Sequence, residues 1–188
     1  YRSFSMTMLL TVTLLALSCR APEQSSSATA PQKRIAGPLE GVWREAEIVV
    51  TGRDASAIQN PQPSLYIFTP THYAMSGVLV DHPRTLYKTI DPTKEEKIAA
   101  YDSFWSNAGT YEVTGDTVTI RPIIARVPNF MSGGFLKYEF RLDGDTLWLT
   151  GSSADEYWRI GEQIVPDSRP PSITRKKLVR VLPGVGPM

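Results

Sequence analysis

Cysteine and histidine are nearly missing from this 188-residue sequence: Cys19 is the one thiol, and His72 and His82 are the two imidazoles. A single cysteine excludes an internal disulfide framework and any Cys-x-x-Cys metal or redox site. Two histidines with no cysteine beside them make a poor metal set, so both are read as solvated loop residues and no metal is expected. Excess charge of one sign is lacking too. Twenty basic residues against 19 acidic leave +1, so no strong field steers the chain to nucleic acid. Gly-x-Ser-x-Gly, a Gly-rich phosphate loop and His-Glu-x-x-His are all absent, which removes the common hydrolase, kinase and protease motifs. No cofactor is expected.

What is present is ordinary globular composition, 41% apolar and 21% charged, which excludes whole-chain disorder and collagen-like repeats. The small net charge conceals three parts: residues 1–39 carry +3, residues 40–161 carry −5, and residues 162–188 carry +3. Sixteen of the 18 aromatics lie in the acidic middle part, which therefore holds the core, because aromatic rings supply the largest buried area per residue.

Met8 to Ser18 (MLLTVTLLALS) is an uncharged apolar run behind Arg2. It is too short to span a bilayer, which takes about 20 apolar residues, and fits the core of a secretory signal. The stretch Leu15-Ala16-Leu17-Ser18-Cys19 resembles the lipobox of bacterial lipoproteins, although Ala16 and Leu17 depart from its commonest form. That resemblance implies cleavage before Cys19, acylation of its thiol and a membrane anchor in the bacterial cell envelope, with Arg20 compatible with the outer membrane. A plain secretory signal followed by an unpaired cysteine fits the same run. The lone thiol, and a Ser/Ala/Pro/Gln-rich stretch from Ala21 to Lys33 with little to bury, favour the anchor. Numbering begins at Tyr1 rather than Met, so further residues are expected upstream. The reading is a signal over 1–18, a flexible tether over 19–38, a folded domain over 39–161 and a Pro-rich basic tail over 162–188.

The middle part alternates with period two between turn residues, which is the signature of half-buried strands. Strands are predicted at Trp43–Val50, Ser64–Thr69, His72–Val78, Thr110–Thr114, Thr117–Arg121, Phe135–Leu142, Thr146–Thr150 and Glu156–Ile160. Gly115-Asp116 predicts a tight hairpin. One helix interrupts them between strands three and four. Thr93 and Glu96 form a capping box, and Ile98, Tyr101, Phe104 and Trp105 follow at helical spacing, so the helix is predicted over Thr93–Trp105. Eight antiparallel strands favour a closed barrel, because closure removes aggregation-prone edges; a sandwich satisfies the same count.

Leu39-Glu40-Gly41-Val42-Trp43-Arg44 and then Ile67-Phe68-Thr69-Pro70-Thr71-His72-Tyr73-Ala74-Met75 resemble the two opening signatures of the bacterial and fungal lipocalin-like domain family. Asp81-His82-Pro83-Arg84, the helix, and Gly109-Thr110-Tyr111-Glu112-Val113 are similar to that family's later order. The resemblance spans 39–161 and implies an all-β, eight-stranded antiparallel up-and-down barrel with a small apolar ligand in its cup. Gly41 then bends the chain into the first strand, Trp43 plugs the closed end, and Arg159 on the last strand packs across the indole. Without the family, Trp43 is plain core and Arg159 a solvated strand charge.

Glu45 and Glu47 stand where the family has apolar or small residues. Strict alternation from an inward Trp43 points both carboxylates into the barrel, and a bulge after Trp43 points both out. Buried, they are candidate acid–base groups; the less costly arrangement turns Ala46, Ile48 and Val50 inward and leaves both glutamates in water. The expected function is an exported, lipid-anchored binding protein for a small hydrophobic or amphipathic ligand, lined by Tyr66, Phe68, Tyr73, Met75, Tyr138 and Phe140, with Trp105 of the helix at the mouth. Its rivals are a cofactor-free isomerase or cyclase using Glu45 or Glu47 as base, and a structural envelope lipoprotein with a filled barrel. The tail, Ile173 to Leu182, mixes basic and apolar residues. It suits an anionic surface, an added strand at Leu178–Leu182, or a free end.

Overall fold

Ten strands and two short helices follow one another over residues 37–182, which the computed structural model describes. The segment read as a signal, most of that read as a tether, and Cys19 lie outside the described residues. In chain order the elements are β1 (Gly41–Gly52), β2 (Ser56–Gln59), β3 (Ser64–Phe68), β4 (His72–Val78), α1 (Lys94–Asp102), β5 (Phe104–Thr114), β6 (Thr117–Ala125), α2 (Pro128–Met131), β7 (Phe135–Asp143), β8 (Thr146–Ile160), β9 (Gln163–Pro166) and β10 (Ser172–Arg180). Eight of the strands close an antiparallel barrel: β1 pairs with β3, then β4, β5, β6, β7 and β8 follow, and β10 joins β8 back to β1. The other two, β2 and β9, lie on extensions of β1 and β8.

The count of eight matches the sequence reading, but the membership does not. Thr146–Thr150 and Glu156–Ile160 are one strand, β8, rather than two. Gly151 suggests a break in the sequence, yet it sits where the Tyr138 ring crosses the backbone; a Cβ there would lie 2.8 Å from the ring. The eighth wall of the barrel is β10, from the segment read as a basic tail. Its inward positions Thr174, Lys176 and Leu178 alternate with Ile173, Arg175 and Lys177, and Lys176 among the inward set hides the strand pattern. The barrel therefore extends to Arg180, beyond the 39–161 boundary.

The helix is also shorter than its spacing suggests. Thr93 caps it as predicted: its hydroxyl accepts from the Glu96 amide at 3.2 Å, and the Glu96 carboxylate accepts from the Thr93 amide at 2.9 Å. But α1 stops at Asp102, and Phe104 and Trp105 open β5 instead, pairing with Val78 and Gly77 of β4. No residue of α1 is buried, and Ile98 and Tyr101 stay about half exposed at 51% and 48%.

The core runs along the inside of the barrel. Trp43, Tyr66, Phe68, Tyr73, Met75, Val118, Ile120, Leu136, Leu147, Leu149 and Leu178 are all buried. Trp43 closes one end with Leu39, whose carbonyl accepts from the indole N–H at 3.0 Å. Gly41, at φ +141°, bends the chain there. The cation over the indole is Arg180, 4.0 Å from the ring centroid, and not Arg159. Arg159 lies on the exposed far end of β8 beyond the barrel wall, donating to the Gly161 carbonyl at 3.0 Å. The last strand of the barrel is β10, so its arginine takes the position.

Candidate functional site: the open end of the barrel

The first glutamate after Trp43 is inside and the second is not. The register of β1 against β10 slips between them, so Glu45 stands opposite Leu178 on the inner face and Glu47 opposite Lys177 on the outer face. One extra residue in a strand reverses the side-chain parity beyond it, so Ile48 rather than Glu47 follows Glu45 inward. The bulge falls between the two positions, so neither of the arrangements expected from alternation holds for both. Glu47 accepts from the Gln59 side-chain amide on β2 at 2.6 Å.

Glu45 is 5% exposed, and an unpaired carboxylate at such a depth would cost several kcal/mol. Its partner is Lys176, whose Nζ donates to Glu45 Oε1 at 2.8 Å and to the Tyr66 hydroxyl at 2.8 Å. The Tyr66 hydroxyl in turn donates to Glu45 Oε1 at 2.5 Å, and the Ser64 hydroxyl accepts from the Glu45 amide at 3.1 Å. Burial raises the Glu45 carboxyl, but the Lys176 charge and the hydrogen bonds from Lys176, Tyr66 and Ser64 outweigh it and hold it below its ordinary value. Burial first, and then the Glu45 charge, push the Tyr66 phenol well above its own, so it remains a neutral O–H donor. The triad is internally neutral.

Above this triad opens a cavity of about 300 Å³. Ile48, Ile58, Val78, Leu79 and Trp105 form its apolar wall, and Glu45, Lys176 and Thr174, together with Gln59, Asn60, Gln62 and Asp81, its polar side. Trp105 is held against β4 by the absence of a side chain at Gly77, where a Cβ would lie 2.7 Å from the indole nitrogen. Its ring tilts over Tyr66 at 5.6 Å between centroids, and the Lys176 ammonium stands 5.0 Å from the indole centroid. Such a cation–π contact contributes about 0.5–2 kcal/mol, more as it is desolvated.

Of the seven residues expected to line a ligand site, only Trp105 faces this cavity, and it does so from β5 rather than from the helix. Tyr66 supports its floor through the triad. Phe68, Tyr73 and Met75 are 2–3% exposed and fill the barrel below, while Tyr138 and Phe140 pack against that core. Burial pushes the Tyr73 and Tyr138 phenols upward, so both stay protonated. The Tyr73 hydroxyl and the Asn107 carbonyl oxygen are buried without a hydrogen-bond partner. Lys176 and Ile58 belong to the site and escape the sequence reading, while Ile48 figures in that reading only as an inward core residue; alternation along Thr174, Lys176 and Leu178 is the signal that reveals Lys176. His72 and His82 are exposed, beside Thr71 and Asp81. Among the described residues, no cluster of three or more His, Cys, Asp or Glu side chains could hold a metal.

Comparison with known proteins brings no relative to this arrangement: no family model matches the chain, and no curated protein matches it.

Proposed function

We propose that the chain is a binding protein that takes a small hydrophobic or amphipathic molecule into the open end of a lipocalin-like, up-and-down barrel. One observation carries this reading: an apolar wall containing Trp105 rises from a buried, internally neutral Glu45–Lys176–Tyr66 floor. Small-molecule sites are concave and mostly apolar, with a few placed polar groups, and about 300 Å³ is the lower end of their usual range. The ligand is correspondingly small. The packed side chains of Phe68, Tyr73 and Met75 restrict it to the mouth rather than the whole tube. In this proposal the protein is exported and held at the envelope membrane by acyl chains on Cys19, with the tether spacing the barrel from the bilayer.

The isomerase or cyclase reading has less support. A general base works best with a pKa near the working pH, whereas Glu45 is held low by Lys176 and is a weak base. The filled lower barrel favours the structural-lipoprotein reading to the extent that the mouth binds nothing.

Native mass spectrometry of the detergent-free purified protein, together with titration of short apolar probes followed by calorimetry, tests the binding reading. A retained lipophile or saturable heat that Trp105→Ala abolishes supports it. No bound mass and no heat with any probe overturns it in favour of a structural role. For the anchor, an alkyne-tagged fatty acid should label the wild type in bacteria and leave Cys19→Ser unlabelled.

A further inference from the structure

Resting on the mouth as a ligand site, we infer that its ligand is uncharged and ends in a hydrogen-bond acceptor, a ketone or ester carbonyl, seated on the Lys176 ammonium with its apolar chain along Trp105. The selection follows from counting donors and charges. An ammonium carries three N–H donors and no acceptor. Two of those of Lys176 go to Glu45 and Tyr66, and the third has no hydrogen-bond acceptor among the described residues. The indole N–H of Trp105, on the same lining, has none either.

Charge then excludes the ionic alternatives. Glu45 already neutralises Lys176 at 2.8 Å, and Asp81 adds a second carboxylate to the cavity lining. A fatty-acid carboxylate placed at the ammonium would sit beside the Glu45 carboxylate, which is only 3% exposed, and like charges repel more strongly there than in bulk water. An alkylammonium has no lone pair to accept the free N–H and meets the like charge of Lys176 there, while the Asp81 carboxylate is exposed at 89% and well screened by water. A carbonyl oxygen accepts the free N–H without adding charge, and it leaves the Glu45–Lys176 pair intact. Hydrogen bonds to charged groups are about twice as strong as neutral ones, so the head group contributes selectivity as well as orientation.

Calorimetry with methyl octyl ketone, decanoate and decylamine at neutral pH tests this directly. The ketone is expected to bind at least about tenfold more tightly than either ion of equal chain length, the size of one charge-assisted hydrogen bond. The companion variant is Glu45→Gln/Lys176→Met, which removes both charges together and leaves no unpaired charge. It should still bind the ketone through the apolar wall, but about tenfold more weakly. Decanoate or decylamine binding as well as the ketone would overturn the head-group assignment and leave the binding reading standing. An undiminished ketone affinity in the double variant would do the same. Binding of none of the three, with no retained lipophile, overturns both.

Discussion

Replacing Lys176 by Met keeps the stem of the side chain and deletes the charge, leaving Glu45 with Tyr66 and Ser64 as its remaining partners. The Glu45 side chain is only 3% exposed, so water cannot take over from the ammonium. Breaking a buried pair from one side costs about 3–5 kcal/mol, a large share of the roughly 5–15 kcal/mol that holds a domain folded. For a chain of this size that is a melting temperature lower by roughly 6–20 °C. The pH dependence gives the sharper reading. In the wild type the Glu45 pKa is lowered on folding, so the pair stabilises above the ordinary carboxylate pKa and is lost as pH falls through the lower folded value. In Lys176→Met, desolvation is left to dominate and the folded pKa rises above the unfolded one. Stability is then full below the unfolded carboxylate pKa, about 4.3, and is lost as pH rises through the raised folded value. Urea denaturation of both proteins from acid to neutral pH measures this. The deficit should be largest at neutral pH and shrink on acidification, and Glu45→Gln/Lys176→Met should recover most of it. A deficit under about 1 kcal/mol at neutral pH, the range of an exposed pair, would refute the assignment of Glu45 and Lys176 as a buried ion pair.

Arg180→Gln, which removes the cation from Trp43, should cost about 0.5–2 kcal/mol in chemical denaturation, while Arg159→Gln should stay within about 0.5 kcal/mol. Ending the chain after Ile160 removes β10 and uncovers the edges of β1 and β8; size-exclusion chromatography should show aggregates in place of a folded monomer peak. Gly151→Ala drives a methyl into the Tyr138 ring and should destabilise by about 1–3 kcal/mol, with Gly144→Ala, which meets nothing within 4 Å but sits at φ +53°, as a turn-strain comparison.

Legibility followed the physics of each segment. His72–Val78 and Phe135–Leu142 alternate cleanly because one face of each packs on the core and the other meets water, so their bounds emerge from the residues almost unchanged. Thr93 and Glu96 announce the helix start because a cap is a local matter of side chain and amide. The helix end is not local. Ile98, Tyr101, Phe104 and Trp105 keep helical spacing, but the partners of the last two lie on β4, and pairing with Gly77 and Val78 decides their conformation. The candidate site was half readable. Glu45 stood out as a carboxylate near an inward tryptophan, but its neutralising partner lies 131 residues away in a run, Arg175-Lys176-Lys177, whose charge masks its parity. The bulge between Glu45 and Glu47 depends on how β10 lies against β1, which no local pattern encodes.

That separation predicts that closure of the tube is a late event in folding. Strands from β3 to β8 are joined to their neighbours through successive hairpins or modest connections, whereas the seam between β1 and β10 unites opposite ends of the described chain. Contacts so distant in sequence form slowly, because their loop must be closed before they repay its entropy. Until Ser172–Arg180 docks, the β1 and β8 borders stay unzipped and Glu45 keeps its hydration shell; the same docking that seals the seam delivers the ammonium that lets the carboxylate go dry.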